Sequence, residues 1–260
     1  MPIGTHTRRV MATLVVLSAC SRAPAAVAPE PAQAGMTARA ASPLDGSTQM
    51  VLVVTPAWDS TSGSLRRFER DGLRGPWRQV GIAVPVVVGR TGVAWDGQLG
   101  LARAGEPVKR EGDGRSPAGA FPLDTAFGFD ARAPWIRLPY AQLRTTTECV
   151  DDGRSVHYNT IVDRDGVPRV DWTSSEKMRS IGQYEYGVHV AYNAPPAPSR
   201  GSCIFLHIWG GPESVTAGCT AMEVGALKEL IAWLDPRRRP MLVQLPASAL
   251  ERQRKEWALP

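Results

Sequence analysis

Only one stretch of this chain repeats its apolar residues at a helical period. Leu227, Leu230, Ile231 and Leu234 fall at i, i+3, i+4 and i+7, which places them on one face of an α-helix. Pro236 stops that helix, and Glu223 lies in its first turn, where an acidic group suits the helix dipole. Everywhere else the chain is punctuated by breakers, 25 Gly and 22 Pro, and its apolar residues gather in short β-branched runs between turn residues. Residues 51–54 and 84–88 read as buried strands, with a turn cluster at 58–63 and a polar strand at 65–70. Residues 109–119 read as a loop, 121–123 open an extended segment, and 149–158 are polar and turn-rich. Residues 187–192 alternate as a strand, 193–199 form a Pro-rich loop, and 203–208 and 241–245 are further strands. The predicted architecture is mainly β with one or two helices (α+β) in a single domain.

The N-terminus sets the compartment. Arg8 and Arg9 precede an apolar run at 10–17 that is too short to span a bilayer alone. Leu17-Ser18-Ala19-Cys20 follows. It resembles the lipobox of bacterial lipoproteins more than an ordinary signal peptide with a chance Cys. The resemblance implies a signal peptide at 1–19, lipidation of Cys20 and a membrane anchor, with Ser21 favouring the outer membrane. Residues 20–48 are rich in Ala, Pro, Ser and Gly and read as a disordered tether. The folded domain is expected over 49–250, with a C-terminal tail at 251–260. A net charge of +5 fits a protein working near an anionic polymer or membrane surface. The basic residues are scattered, with no run interleaved with aromatics, which argues against a nucleic-acid partner.

Export changes the meaning of the cysteines. With Cys20 lipidated, Cys149, Cys203 and Cys219 remain. At most one disulfide can form among three, so at least one thiol stays free, and a free thiol in an oxidising compartment needs a role. The run Phe205-Leu206-His207-Ile208-Trp209-Gly210-Gly211-Pro212-Glu213-Ser214-Val215-Thr216-Ala217-Gly218-Cys219-Thr220 joins a His to a Cys through a Gly-rich loop. Cys219 is the candidate nucleophile and His207 the candidate proton acceptor and donor. The N–H groups of Ala217, Gly218 and Cys219 are candidate oxyanion donors. A helix beginning shortly after Cys219 is expected to lower the thiol pKa through its N-terminal field. Zinc could in principle use Cys219, His207 and His189, but no Cys-x-x-Cys or His-Glu-x-x-His spacing supports it.

These residues carry a family resemblance. The segment 201–222, with His207, Thr216, Gly218 and Cys219, resembles the L,D-transpeptidase catalytic domain, the YkuD-like fold. Asp113-Gly114-Arg115-Ser116-Pro117-Ala118-Gly119-Ala120-Phe121 resembles that family's early Ser/Thr-Pro-x-Gly-x-Phe element. Cys149-Val150-Asp151-Asp152, His157-Tyr158-Asn159 and Asp171-Trp172 resemble one branch of it, and the match runs in order over roughly residues 85–246. The resemblance implies a cysteine acyltransferase acting on peptidoglycan stem peptides, without metal or cofactor. Cys219 would form a thioester at the third stem residue and expel D-Ala. An amine of another stem would then give a 3→3 crosslink, whereas water would make the enzyme a carboxypeptidase. A silent peptidoglycan-binding lipoprotein is the alternative outside enzymology. The sequence departs from the family at Thr220-Ala221-Met222, where an Arg usually stands in the middle position. Candidate substrate contacts are Thr216, His189, Tyr192, Asn193, Arg115 and Ser116.

Overall fold

The computed structural model describes Met1 and residues 42–260; the lipobox with Cys20, and the tether as far as residue 41, lie outside the described residues. Residues 42–260 belong to one compact unit. In chain order the strands are β1 (Gln49–Thr55), β2 (Ser62–Glu69), β3 (Arg78–Val87), β4 (Val93–Trp95), β5 (Ser116–Gly128) and β6 (Tyr140–Gln142). They continue with β7 (Thr147–Val150), β8 (Ile161–Asp163), β9 (Ser175–Lys177), β10 (Tyr186–Val190), β11 (Phe205–Ile208) and β12 (Thr220–Met222). Helix α1 (Val224–Trp233) then leads to β13 (Met241–Pro246) and helix α2 (Ala247–Gln253). The architecture is therefore mainly β with two helices, in a single domain.

The large sheet runs β10-β11-β12-β3-β2-β1-β13-β5-β4. Because β10 pairs with β5 as well as with β11, the sheet closes on itself like a barrel, while β4 and β6 each pair only with β5. A small sheet, β8-β7-β9, is built separately. Strand β1 shows why the sheet holds. Val51 and Val53 enter one core with Leu206, Met222 and the α1 residues Leu227, Leu230 and Ile231. Met50 and Leu52 point the other way, into a core with Trp95, Val243, Leu245 and the α2 residues Ala249 and Leu250. Alternation sends successive side chains to opposite faces, and both faces are covered, so the strand reads as a continuous apolar run.

Helix α1 forms as its period requires, capped by the Glu223 carboxylate, which accepts from the Ala226 N–H at 3.0 Å. Several boundaries differ from the expectation. Strand β5 starts at Ser116, inside the segment read as loop, because residues 116–118 pair with β4. The domain is wider than 49–250. Leu44 is buried in the second core, which removes residues 42–48 from the tether. Trp257 and Leu259 pack into the same core, so 251–260 is not a tail. Ser42 ties the two ends together by donating to the Trp257 carbonyl at 3.2 Å. Trp residues mostly serve packing, as with Trp58 against Trp95, their ring centroids 5.4 Å apart.

Candidate active site

Strand β11 delivers His207, and the turn before β12 delivers Cys219. The two strands lie parallel, with Leu206 beside Thr220 and His207 beside Ala221. On the other side of β11, Gly187 of β10 stands opposite His207. A Cβ there would come within 2.3 Å of the Phe127 ring, so only glycine lets the aromatic layer close beneath the histidine. His207 and Cys219 line one cavity of about 220 Å³, together with Tyr184, Trp209 and Thr216.

The histidine is held in one orientation. Its Nδ1 lies 2.7 Å from the Ile208 carbonyl. That carbonyl can only accept, so Nδ1 carries the proton and Nε2 is left as the acceptor. Tyr184 packs edge-on against the imidazole, centroids 5.2 Å apart. Burial lowers the His207 pKa below the ordinary value, the Ile208 bond opposing it. The ring is therefore neutral at neutral pH and able to take a proton.

The cysteine backbone is pinned from two directions. Ser116 Oγ donates to the Cys219 carbonyl at 2.8 Å and Thr216 Oγ1 at 2.6 Å. Ser116 Oγ in turn accepts from the Gly89 N–H at 2.9 Å. Gly89 has to be glycine, since a Cβ would meet the Gly114 carbonyl at 2.2 Å. The Gly218 N–H donates to Thr216 Oγ1 at 3.2 Å, so of the three expected oxyanion donors one is already engaged within the loop.

The expected thiol activation is not what the fold provides. Strand β12 stands between Cys219 and α1, whose first residue is Val224, so no helix begins just after the thiol. Sγ instead accepts from the Phe205 N–H at 3.3 Å and donates to the Cys203 carbonyl at 3.4 Å. Burial first, then the negative charge of Glu176, push the thiol pKa well above its ordinary value. The site at rest is a neutral thiol beside a neutral imidazole.

Cys149 and Cys203 form a disulfide, leaving Cys219 as the free thiol among the described residues. Other expectations need correction. His189 lies outside the cavity and pairs with Asp124, Nδ1 to Oδ1 2.9 Å. Tyr192 is buried and donates to the Arg200 carbonyl at 2.6 Å. Asn193 braces the Pro-rich loop, donating to the carbonyls of Ala197 and Gly201, both at 3.0 Å. Arg115 donates to the carbonyls of Trp58 and Val93, both at 3.0 Å. Each of these side chains bonds to the surrounding structure, and Ser116 acts on the Cys219 backbone from a fully buried position. Only Thr216 of the candidate substrate contacts lines the cavity.

Sequence reasoning missed Tyr184 and Glu176. The Tyr184 hydroxyl donates to Glu176 Oε2 at 2.7 Å, and both side chains line the cavity with Cys219. Neither sits at a recognisable spacing from His207 or Cys219, so no sequence signal marked them. Comparison with protein-family models, curated proteins and solved structures finds no match to this chain.

Proposed function

We propose that the chain is a cysteine acyltransferase of the L,D-transpeptidase type, acting on peptidoglycan stem peptides. The observation that carries this is the shared cavity, with a free thiol and a histidine whose Nε2 is oriented as a proton acceptor. The YkuD-like fold, the envelope location and the anchor at Cys20 belong to the same proposal and rest on the sequence motifs. In the first step the Cys219 S–H proton passes to His207 Nε2 as Sγ attacks the carbonyl carbon of the third stem residue. His207 then returns that proton to the leaving D-Ala amine as the C–N bond breaks, leaving a thioester. An incoming amine attacks the thioester carbon, loses its proton to His207, and the thiolate recovers that proton. Because the thiol is neutral at rest, proton transfer accompanies attack instead of preceding it. The loop N–H groups of Ala217 and Cys219 would face the developing oxyanion, worth about 3 kcal/mol per donor.

One observation favours a second reading. The thiol is buried and its pKa is raised, the opposite of the activated cysteine that covalent catalysis commonly uses. Ala221 also lines the cavity where the family usually has Arg. A silent stem-peptide-binding lipoprotein would show both features. Incubating the protein with a stem tetrapeptide and measuring D-Ala release separates the two. Release that is lost in Cys219→Ala supports the acyltransferase, and tetrapeptide binding without release supports the silent module. Products formed with water but not with an amine acceptor would make the enzyme a carboxypeptidase.

A further inference from the structure

The Tyr184 hydroxyl has one proton to give and two acceptors beside it. It donates to Glu176 Oε2 at 2.7 Å, and the same side chain hydrogen-bonds the Cys219 sulfur. Burial, then the negative charges of Cys219 and Glu176, push its pKa far up, so the hydroxyl keeps its proton throughout. Three aromatic contacts hold the ring. It meets Phe127, Phe205 and the His207 imidazole edge-on, with centroids 5.8, 5.4 and 5.2 Å apart. The remaining freedom is rotation of the O–H, between the carboxylate and the sulfur.

Glu176 is tied to the thiol through the disulfide. It pairs with Cys149 across β9 and β7, Cys149 is bonded to Cys203, and the Cys203 carbonyl accepts from Cys219 Sγ at 3.4 Å. Glu176, Tyr184 and Cys219 then line the cavity that also holds His207. The other charged groups around the carboxyl do not neutralise it. Asp151 and Glu111 add negative charge. Lys109 Nζ is 2.7 Å from Asp113 Oδ1, so its charge is already matched. Arg90 is exposed to solvent, where its field is screened. Burial first, opposed by the Tyr184 bond and reinforced by Asp151 and Glu111, holds the Glu176 carboxyl up at about 7. The group therefore changes charge near neutral pH.

We propose that Tyr184 is the hydrogen-bond donor to the Cys219 thiolate, and that Glu176 is a positioning residue whose charge decides when this donor is available. The inference builds on the acyl-transfer reading and assigns its regulation. An ionised Glu176 claims the Tyr184 proton in a charge-assisted bond, roughly twice as strong as a neutral one, and repels negative charge on the sulfur. A neutral Glu176 holds it more weakly, so the hydroxyl turns to the sulfur as the thiol proton passes to His207 Nε2. Tyr184 keeps its own proton in both states, and only the direction of its bond changes. The thiol is disposed to react when Glu176 is protonated and restrained when Glu176 is ionised.

The test is the rate at which iodoacetamide alkylates Cys219, read by peptide mass at about pH 5.5 and at about pH 8.5, either side of the Glu176 value of about 7. Glu176→Gln should match the wild type at the lower pH. At the higher pH it should react about 3-fold faster, the net of more thiolate and weaker nucleophilicity when a thiol pKa falls by about one. Both proteins carry His207, so its titration cancels in their ratio. Tyr184→Phe keeps the ring packing and should react about 3-fold more slowly than the wild type at the lower pH, where the hydroxyl serves the sulfur. Cooperative thermal unfolding of each variant confirms the fold, and if Tyr184→Phe does not fold, the Glu176→Gln ratio decides alone. A Glu176→Gln ratio that is the same at both pH values, or a folded Tyr184→Phe that reacts as fast as the wild type, would overturn the proposal. Wild-type D-Ala release then separates the two claims. The expected alkylation rates without any release would keep the control of the thiol and remove the acyltransferase. Release with an unchanging Glu176→Gln ratio would keep the acyltransferase and remove the control.

Discussion

The Ser116 hydroxyl donates to the Cys219 carbonyl at 2.8 Å across a sequence separation of 103 residues. Two motifs that look independent along the chain are thus one device, in which the first strand residue of β5 fixes the backbone of the candidate nucleophile. Ser116→Ala removes that bond and leaves the buried Gly89 N–H without its acceptor. The expected loss in unfolding free energy is about 1–3 kcal/mol, measured by denaturant titration. D-Ala release should fall with it, although Ser116 touches no substrate.

The disulfide has a similar indirect hold on the thiol. Cys203 is bonded to Cys149 and its carbonyl accepts from Cys219 Sγ. The Cys203 N–H is itself held by Asn159 Oδ1 at 2.9 Å. Replacing both disulfide cysteines by Ser should cost about 2–4 kcal/mol, as expected for opening a long covalent loop. It should also change the rate at which Cys219 reacts with an alkylating agent, because the thiol loses a fixed acceptor. Stability read by thermal unfolding and thiol reactivity read by mass spectrometry check the two halves separately.

Glu176 gives the fold a pH dependence of definite sign. Its carboxyl is raised from 4.5 to about 7, chiefly by burial. A raised folded-state pKa means that the folded form holds the proton more tightly than the unfolded chain. Its stabilising contribution is complete below the unfolded value of about 4.5 and is lost as pH rises through about 7. Glu176→Gln should therefore match the wild type near pH 3.5 and melt at a higher temperature than it near pH 8 (both about one pH unit outside the window). Parallel melting curves of the two proteins across this range would contradict the assignment.

In the proposed acyl transfer, His207 would set the acid limb of activity. Burial lowers its pKa below the ordinary 6.5, so the neutral base persists to lower pH than in an exposed imidazole. The acid limb of kcat/KM for D-Ala release, which reports the free enzyme, should have its midpoint below 6.5. A midpoint above that value would mean that the histidine is stabilised as a cation, contrary to its surroundings.

Local patterns were legible in the sequence where one physical effect dominates. The apolar period at Leu227, Leu230 and Ile231 marked α1, and the apolar run at Val51 marked β1, because burial of one face or both faces dictates composition directly. The free status of Cys219 followed only in part, since which of three cysteines stays unpaired depends on distances that sequence does not hold. The cost of the thiol was misread for a similar reason. A helix does follow Cys219, but the three residues of β12 come first, and a strand carries no comparable field. His189, Arg115 and Asn193 had the right chemistry for a site and were taken by Asp124 or by backbone carbonyls. Tyr184 and Glu176 had no motif at all, since their nearness to Cys219 arises from the turn before β10 packing on β11 and from β9 pairing with β7. At the buried ends, Leu44 was hidden by its Ser, Pro, Asp and Gly neighbours, and Trp257 and Leu259 by the largely charged stretch at 251–256 before them.

The most direct measurement is the intact mass of the protein after incubation with a stem tetrapeptide. The account expects a mass increase equal to the donor acyl group without its D-Ala. It should map to Cys219, discharge on addition of an amine, and be absent in Cys219→Ala. A protein that releases D-Ala equally well after Cys219→Ala, or that never carries the acyl group while fully folded and saturated with donor, would contradict it.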